Sequence, residues 1–179
     1  MKKALLVYLL SCTAGLFAQE KMVTKTGKVT IEASVPSFEE VKAKNEGVTF
    51  IINSKTGEVA SLALMKGFRF KIALMEEHFN ENYVESDKYP KSTFKGKIEN
   101  FDVKTLTAVA KEFTIKGKLE LHGKSKDVIS TAKIKKTDAG IEIISNFSVN
   151  ASDFDIKIPN VVKNKVSNTI DIKSEFTVK

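Results

Sequence analysis

From Met22 onward apolar and polar residues alternate with a period of two, which confines the chain to strands that bury one face. Val29, Ile31, Ala33 and Val35 share a parity, as do Val48, Phe50 and Ile52, and again Phe68, Phe70, Ile72 and Leu74. Further strands are expected over residues 57–64, 92–103, 108–121, 126–136, 140–152 and 166–178. Turn-forming runs such as Asn53-Ser54-Lys55-Thr56-Gly57 and Thr137-Asp138-Ala139-Gly140 separate several of them. Eight or nine antiparallel strands result, an all-β class. Such a set ends as a sandwich or as a closed barrel. An eight-stranded barrel removes the exposed edges, and its interior is just wide enough to be packed or to hold one small ligand.

Two interruptions hold the little helix expected. Pro36-Ser37-Phe38-Glu39-Glu40-Val41 opens with a proline and early glutamates, which suits a helix start. In the stretch 75–94, Met75, Phe79 and Tyr83 recur at a spacing of four and share a helix face. Glu85 to Lys88 then reads as a loop, and Pro90 pushes Tyr89 into an extended conformation before a strand that starts near Ser92.

Met1-Lys2-Lys3, the apolar run from Ala4 to Phe17 and the small residue Ala18 read as a signal peptide over residues 1–18. The run is shorter than the roughly 20 apolar residues a membrane-spanning helix needs, so no integral span is expected. Leu9-Leu10-Ser11-Cys12 offers an alternative, a lipoprotein signal with Cys12 as the anchor. The expected destination is periplasmic or secreted. Cleavage after Ala18 removes the single cysteine, so residues 19–179 form one domain held by its core alone.

The chain carries a formal charge of +7, and loss of Lys2 and Lys3 leaves +5. Arg69 is the only arginine, and the lysines are interspersed with Glu and Asp. Nucleic-acid surfaces cluster arginine with aromatic platforms, so no nucleic-acid partner is expected.

Two near-identical heptapeptides stand out, Thr93-Phe94-Lys95-Gly96-Lys97-Ile98-Glu99 and Thr114-Ile115-Lys116-Gly117-Lys118-Leu119-Glu120. Each has an inner face that reads large, glycine, large, so Gly96 and Gly117 dent the wall where something approaches the backbone closely. Charge complementarity predicts a register with Lys95 opposite Glu120 and Glu99 opposite Lys116.

The inward parity supplies Phe70, Ile72, Phe94, Ile98, Ile115 and Leu119 from the first part of the chain. Ile143, Phe147, Ile170, Ile172 and Phe176 complete it, with almost no charge among them. These side chains are either a filled core or the wall of an apolar pocket, and periodicity does not separate the two.

The run from His78-Phe79 through Lys88-Tyr89-Pro90-Lys91-Ser92-Thr93-Phe94, then Gly117-Lys118-Leu119-Glu120-Leu121-His122-Gly123-Lys124-Ser125-Lys126, resembles the YceI-like family of exported lipocalin-like proteins. Asn150-Ala151-Ser152-Asp153-Phe154-Asp155-Ile156 resembles a later landmark of that family, where Asp-Phe-Gly-Ile is usual. The resemblance runs from about residue 68 to the end. It implies an antiparallel barrel that holds a long-chain lipid, an isoprenoid in the first place, in an apolar interior, with no cofactor. The ligand-contacting residues so implied are the inward set above, with Phe79 and Tyr83 from the helix and the dents at Gly96 and Gly117.

Two other readings stand beside it. A filled barrel would leave an envelope interaction protein whose lysine-studded face is the contact surface. A hydrolase would need His78 beside Glu77 and Glu81, or His122 near Asp127, as acid-base groups. His122 shows the outward parity, opposite to Leu119 and Leu121, and catalysis is not expected. Two histidines and no mature cysteine do not make the usual zinc ligand sets, so no metal is expected either.

Overall fold

The computed structural model describes residues 20–179; the leader read over residues 1–18, Cys12 included, lies outside the described residues. The strands are β1 (Lys21–Ser34), β2 (Lys42–Asn53), β3 (Glu58–Leu64) and the short β4 (Arg69–Phe70), followed by helix α1 (Ala73–His78). Then come β5 (Lys91–Ile98), β6 (Lys111–Leu121), β7 (Lys124–Thr137), β8 (Gly140–Asn150) and β9 (Val166–Val178). Every pairing is antiparallel, in the order β1-β9-β8-β7-β6-β5-β3-β2, and β1 pairs with β2 to close the ring. β4 lies outside this eight-stranded circuit, hydrogen-bonded to the start of β2 through Ala43↔Phe70 and Lys44↔Arg69. Closure leaves no long strand edge to pair with another chain.

Alternation places the strands correctly in most of the chain, and the structure departs from the sequence reading in three places. The expected strand over residues 68–74 shrinks to β4. Glu76 of α1 takes the Phe70 N–H with Oε2 at 3.1 Å and holds Arg69 Nη1 with Oε1 at 2.9 Å, which ends the ladder and turns the chain into the helix. The helix expected at Pro36 is absent. Residues 35–41 form a tight connection in which Ser37 is left-handed (φ 71°), Val41 N–H donates to Ser34 Oγ, and Ala33 N–H donates to the Val41 carbonyl. β1 and β2 pair up to this point, Glu32 against Lys42, so the chain must reverse within this connection, and the left-handed Ser37 interrupts any helix there.

The third correction concerns the heptapeptides. Gly96 lies opposite Gly117, with Lys95 against Lys118 and Lys97 against Lys116, two residues away from the charge-paired register. Packing decides it. A Cβ on Gly117 would stand 2.5 Å from Phe94 Cζ and 2.7 Å from the Gly96 Cα, so the Phe94 ring lies across the glycine pair. The like charges are relieved sideways, since Lys116 reaches Glu99 at 2.7 Å and Lys118 reaches Asp127 at 3.2 Å. Both pairs are largely exposed, and such pairs contribute about 0–1 kcal/mol, less than a misplaced aromatic ring would cost.

The interior has two layers. At the end that holds the chain terminus, Ile52, Ile98, Ala132, Ile134, Ile141 and Val178 form a solid plug with Leu106. Phe50 and Phe176 stack above it with centroids 4.2 Å apart and planes within 10°, in a place open only because Gly27 has no side chain there. At the opposite end Ala43, Met65, Phe68, Val84, Phe154 and Ile156 form a second cluster. This end carries the long connections, among them α1 and its continuation as a π turn over Phe79–Tyr83.

Candidate functional site

Between the two clusters the barrel is hollow, with a cavity of about 570 Å³. Its floor is the Phe50–Phe176 stack with Val48 and Ile143, and the plug beneath shuts the far end. Its walls come from alternate residues of all eight barrel strands, because residues two apart on a strand face the same way. The cavity meets solvent where the exposed residues Phe38, Glu39, His78 and Lys165 border it.

Most of the inward set read from the sequence stands on this surface. Phe94, Ile115 and Leu119 line one side, and Ile143, Phe147, Ile170, Ile172 and Phe176 the other. Phe70, Phe79 and Tyr83 line the mouth end, and Met75 joins them, so the spacing of four does put one helix face on the cavity. Four residues stand elsewhere. Ile98 is fully buried in the plug. Ile72 precedes α1, where its carbonyl accepts from Met75 and Glu76 N–H, and does not border the cavity. Gly96 and Gly117 are covered by Phe94, so their dent is filled by that ring and not by open space.

Other cavity residues were missed. Val29, Ile31, Ser130, Ser145 and Ser174 were legible by parity, and the serines escaped only because the inward set was drawn from large apolar residues. Phe154, Ile156 and Ile158 come from the irregular connection after β8, where no period marks them.

The mouth end is braced by aromatic and polar contacts. Phe79 packs edge-on against Phe68 at 5.7 Å and tilted against Phe70 at 5.1 Å. Buried Asn45 donates to the Leu64 carbonyl at 2.9 Å and accepts from Gly47 N–H at 2.9 Å, tying the turn after β3 to β2. Tyr83 borders the cavity, and burial pushes its phenol above its usual pKa.

His122 does not sit as the strand pattern suggests. His122 occupies the β6–β7 turn with left-handed backbone (φ 51°), which swings it off the strand and under the barrel end. Its Nδ1 donates to the Phe154 carbonyl at 2.9 Å, its Nε2 meets Glu85 Oε2 at 2.6 Å, and Tyr89 packs on the ring at 4.5 Å. With both nitrogens engaged, His122 fastens the 84–90 loop to the connection after β8 and has no face free for chemistry. His78 is exposed on the rim, and it forms no ion pair among the described residues. No cluster of three or more His, Cys, Asp or Glu suited to a metal occurs among the described residues.

A closed eight-stranded barrel, hollow and apolar toward one end, defines a lipocalin-like fold. The YceI-like domain profile matches residues 15–178, and the chain belongs to that family. Solved structures share the architecture at low identity. A polyisoprenoid-binding domain from Saccharophagus degradans, implicated in plant cell wall breakdown, superposes with a TM-score of 0.72 at 14% identity, covering 89% of this chain and 98% of its own. BcnA from Burkholderia cenocepacia gives 0.70 at 15%, covering 86% and 96%. The Campylobacter jejuni YceI protein gives 0.61 at 18%, covering 81% and 89%. No curated protein matches the chain. No described helix is long and apolar enough to cross a membrane.

Proposed function

We propose that this protein is a lipid binder, not an enzyme, and that it carries or stores a long-chain lipid, an isoprenoid in the first place, in the periplasm or a secreted space after removal of residues 1–18. The observation that carries the reading is the solvent-connected apolar cavity of about 570 Å³. A likeness in fold to a domain described as polyisoprenoid-binding agrees with it.

The energetics suffice without any catalytic group. If a chain atom takes about the 30 Å³ that a water molecule takes in the liquid, the cavity holds about 19 heavy atoms. Burying about 15 methylenes yields about 12 kcal/mol gross at about 0.8 kcal/mol each. Association costs about 4 kcal/mol or more, which leaves about 8 kcal/mol, a micromolar dissociation constant. A longer isoprenoid would project through the mouth, past Phe38 and Lys165.

Native mass spectrometry of the mature protein, followed by organic extraction, tests the reading. A lipid released at one per chain is the expected result. A protein that emerges empty and takes up no added C20 isoprenoid overturns it and favours an envelope interaction role for the lysine face. Cell fractionation with N-terminal sequencing reads the compartment: a start at Gln19 is expected, and a chain lipidated at Cys12 would replace the soluble form with an anchored one.

A further inference from the structure

We propose that the deep end of the cavity holds the neutral polar head of a single-chain lipid, an alcohol or carboxamide, on Ser130, Ser145 and Ser174. The ligand then lies head inward, with its hydrocarbon toward the mouth. This rests on the lipid-binding reading above and adds the chemistry and direction of the ligand.

The three serines border the cavity and are only 5%, 7% and 7% exposed. None of their hydroxyls bonds to another described residue, although Ser92 donates to the Glu120 carbonyl and Ser148 to Asp171; they are not sealed in the wall but border the cavity, the fully buried side-chain polar atom without a partner among the described residues being Asn80 Oδ1. Ser145 and Ser174 are direct neighbours across β8 and β9. Ser130 is diagonal to them, two residues along β7 from Ala132, the partner of Ser145. The cluster stands one inward position above the floor, since Ile143 and Phe176 are the next residues of the same parity. Hydroxyls set in an apolar wall without partners lose free energy unless something in the cavity bonds to them.

Charge fixes the kind of head. The ionisable groups on the cavity surface are Glu32, Glu39, His78, Lys165 and the phenol of Tyr83, and the carboxylates, His78 and Lys165 belong to its solvent side. A carboxylate or phosphate at the serines would be buried with no countercharge. A hydroxyl or carboxamide both donates and accepts, as serine does, and carries no charge. Geranylgeraniol, a C20 isoprenoid alcohol, matches the capacity of about 19 heavy atoms estimated above.

The test uses delipidated mature protein, the double variant S145A/S174A, and three probes: geranylgeraniol, the same C20 skeleton without oxygen, and geranylgeranyl diphosphate. Loss of two neutral hydrogen bonds weakens the alcohol about tenfold in the variant and leaves the hydrocarbon unchanged or tighter. The diphosphate binds the wild type more weakly than the alcohol, and its affinity is indifferent to the substitution. The ligand-free variant melts at or above the wild-type temperature, because the two hydroxyls lost face the cavity and hold no other part of the fold. An equal change for alcohol and hydrocarbon, or none for either, overturns the head-inward arrangement while lipid binding stands. A ligand-free variant that melts lower also overturns it, by showing that the hydroxyls serve the fold through an internal water. Failure of all three probes to bind the wild type overturns the lipid reading itself.

Discussion

Replacing Gly117 by alanine places a methyl group 2.5 Å from Phe94 Cζ, 2.5 Å from the Lys95 carbonyl oxygen and 2.7 Å from the Gly96 Cα. Two of these three obstacles are backbone atoms of β5, which the pairing with β3 and β6 holds in place. A ring can swing into the cavity, but a paired strand cannot. Overpacking costs about 1–3 kcal/mol, and the backbone obstacles put this case in the upper half. Alanine recovers about 0.5–1 kcal/mol because glycine is the costlier residue to order in a strand. The net expectation is about 1–2 kcal/mol of lost stability, or about 2–8 °C in melting temperature for a chain of this size. The chain contains no tryptophan, so urea unfolding is best followed by far-ultraviolet circular dichroism. Phe94→Leu serves as the control, since it removes the ring atom and leaves both backbone obstacles. F94L/G117A should therefore remain about 1 kcal/mol or more below F94L. If the added alanine costs nothing in the F94L background, the ring alone sets the close approach. If G117A alone costs less than about 0.5 kcal/mol, the glycine pair does not fix the register.

Two further substitutions test how the mouth end is held. His122→Asn keeps a residue that tolerates left-handed backbone but loses the double attachment to Glu85 and Phe154, and should cost about 2 kcal/mol with faster proteolysis within 84–90 and 151–158. An unchanged cleavage pattern would show that His122 is not the fastening. Asp155 lies in the left-handed region (φ 57°), and the hydrogen bond and charge of Lys124 hold its carboxyl below the ordinary value of 3.8. A depressed folded-state pKa means stabilisation that is present above the unfolded value and lost as pH falls through the folded one. Asp155→Asn should therefore melt below the wild type at pH 7 and converge with it only in acid well below 3.8, past the depressed folded value; a gap that persists in strong acid would assign the effect to something other than this ion pair.

The period-two pattern made the barrel legible because almost every strand buries one face. It misread residues 68–74 because the carboxylate of Glu76, in the helix that follows, decides where the ladder stops, and parity continues past that point unbroken. Charge gave the wrong register for β5 and β6 because exposed lysines bend to find diagonal partners, whereas a buried ring and two glycine backbones cannot. The sequence also presented filled core and pocket as rivals. The same parity supplies both, since Ile98 and Ile134 belong to the plug while Phe94 and Ile172 face open space. The connection after β8 was beyond reach for the opposite reason. Phe154 points inward from a 3₁₀ turn and Ile156 from just past the left-handed Asp155, where no regular period exists. The family landmark nevertheless has a physical meaning there: Asp155 occupies the place where glycine is usual, and its backbone is left-handed, a conformation that glycine adopts freely and aspartate tolerates.

The plug beneath the Phe50–Phe176 stack divides the molecule into regions of unequal firmness. The plug end is dense and closed by ladder pairing between strands β8 and β9 down to Val178, so its amides are expected to exchange with solvent only when the whole protein opens. The other end hangs on a short helix, a π turn and loops pinned at a few points, and such segments open at far smaller free energy. In the lipid-binding reading, a guest comes and goes through local opening of one end while the other preserves the ring. In a chain whose only cysteine lies at position 12, that division of labour stands in for a crosslink.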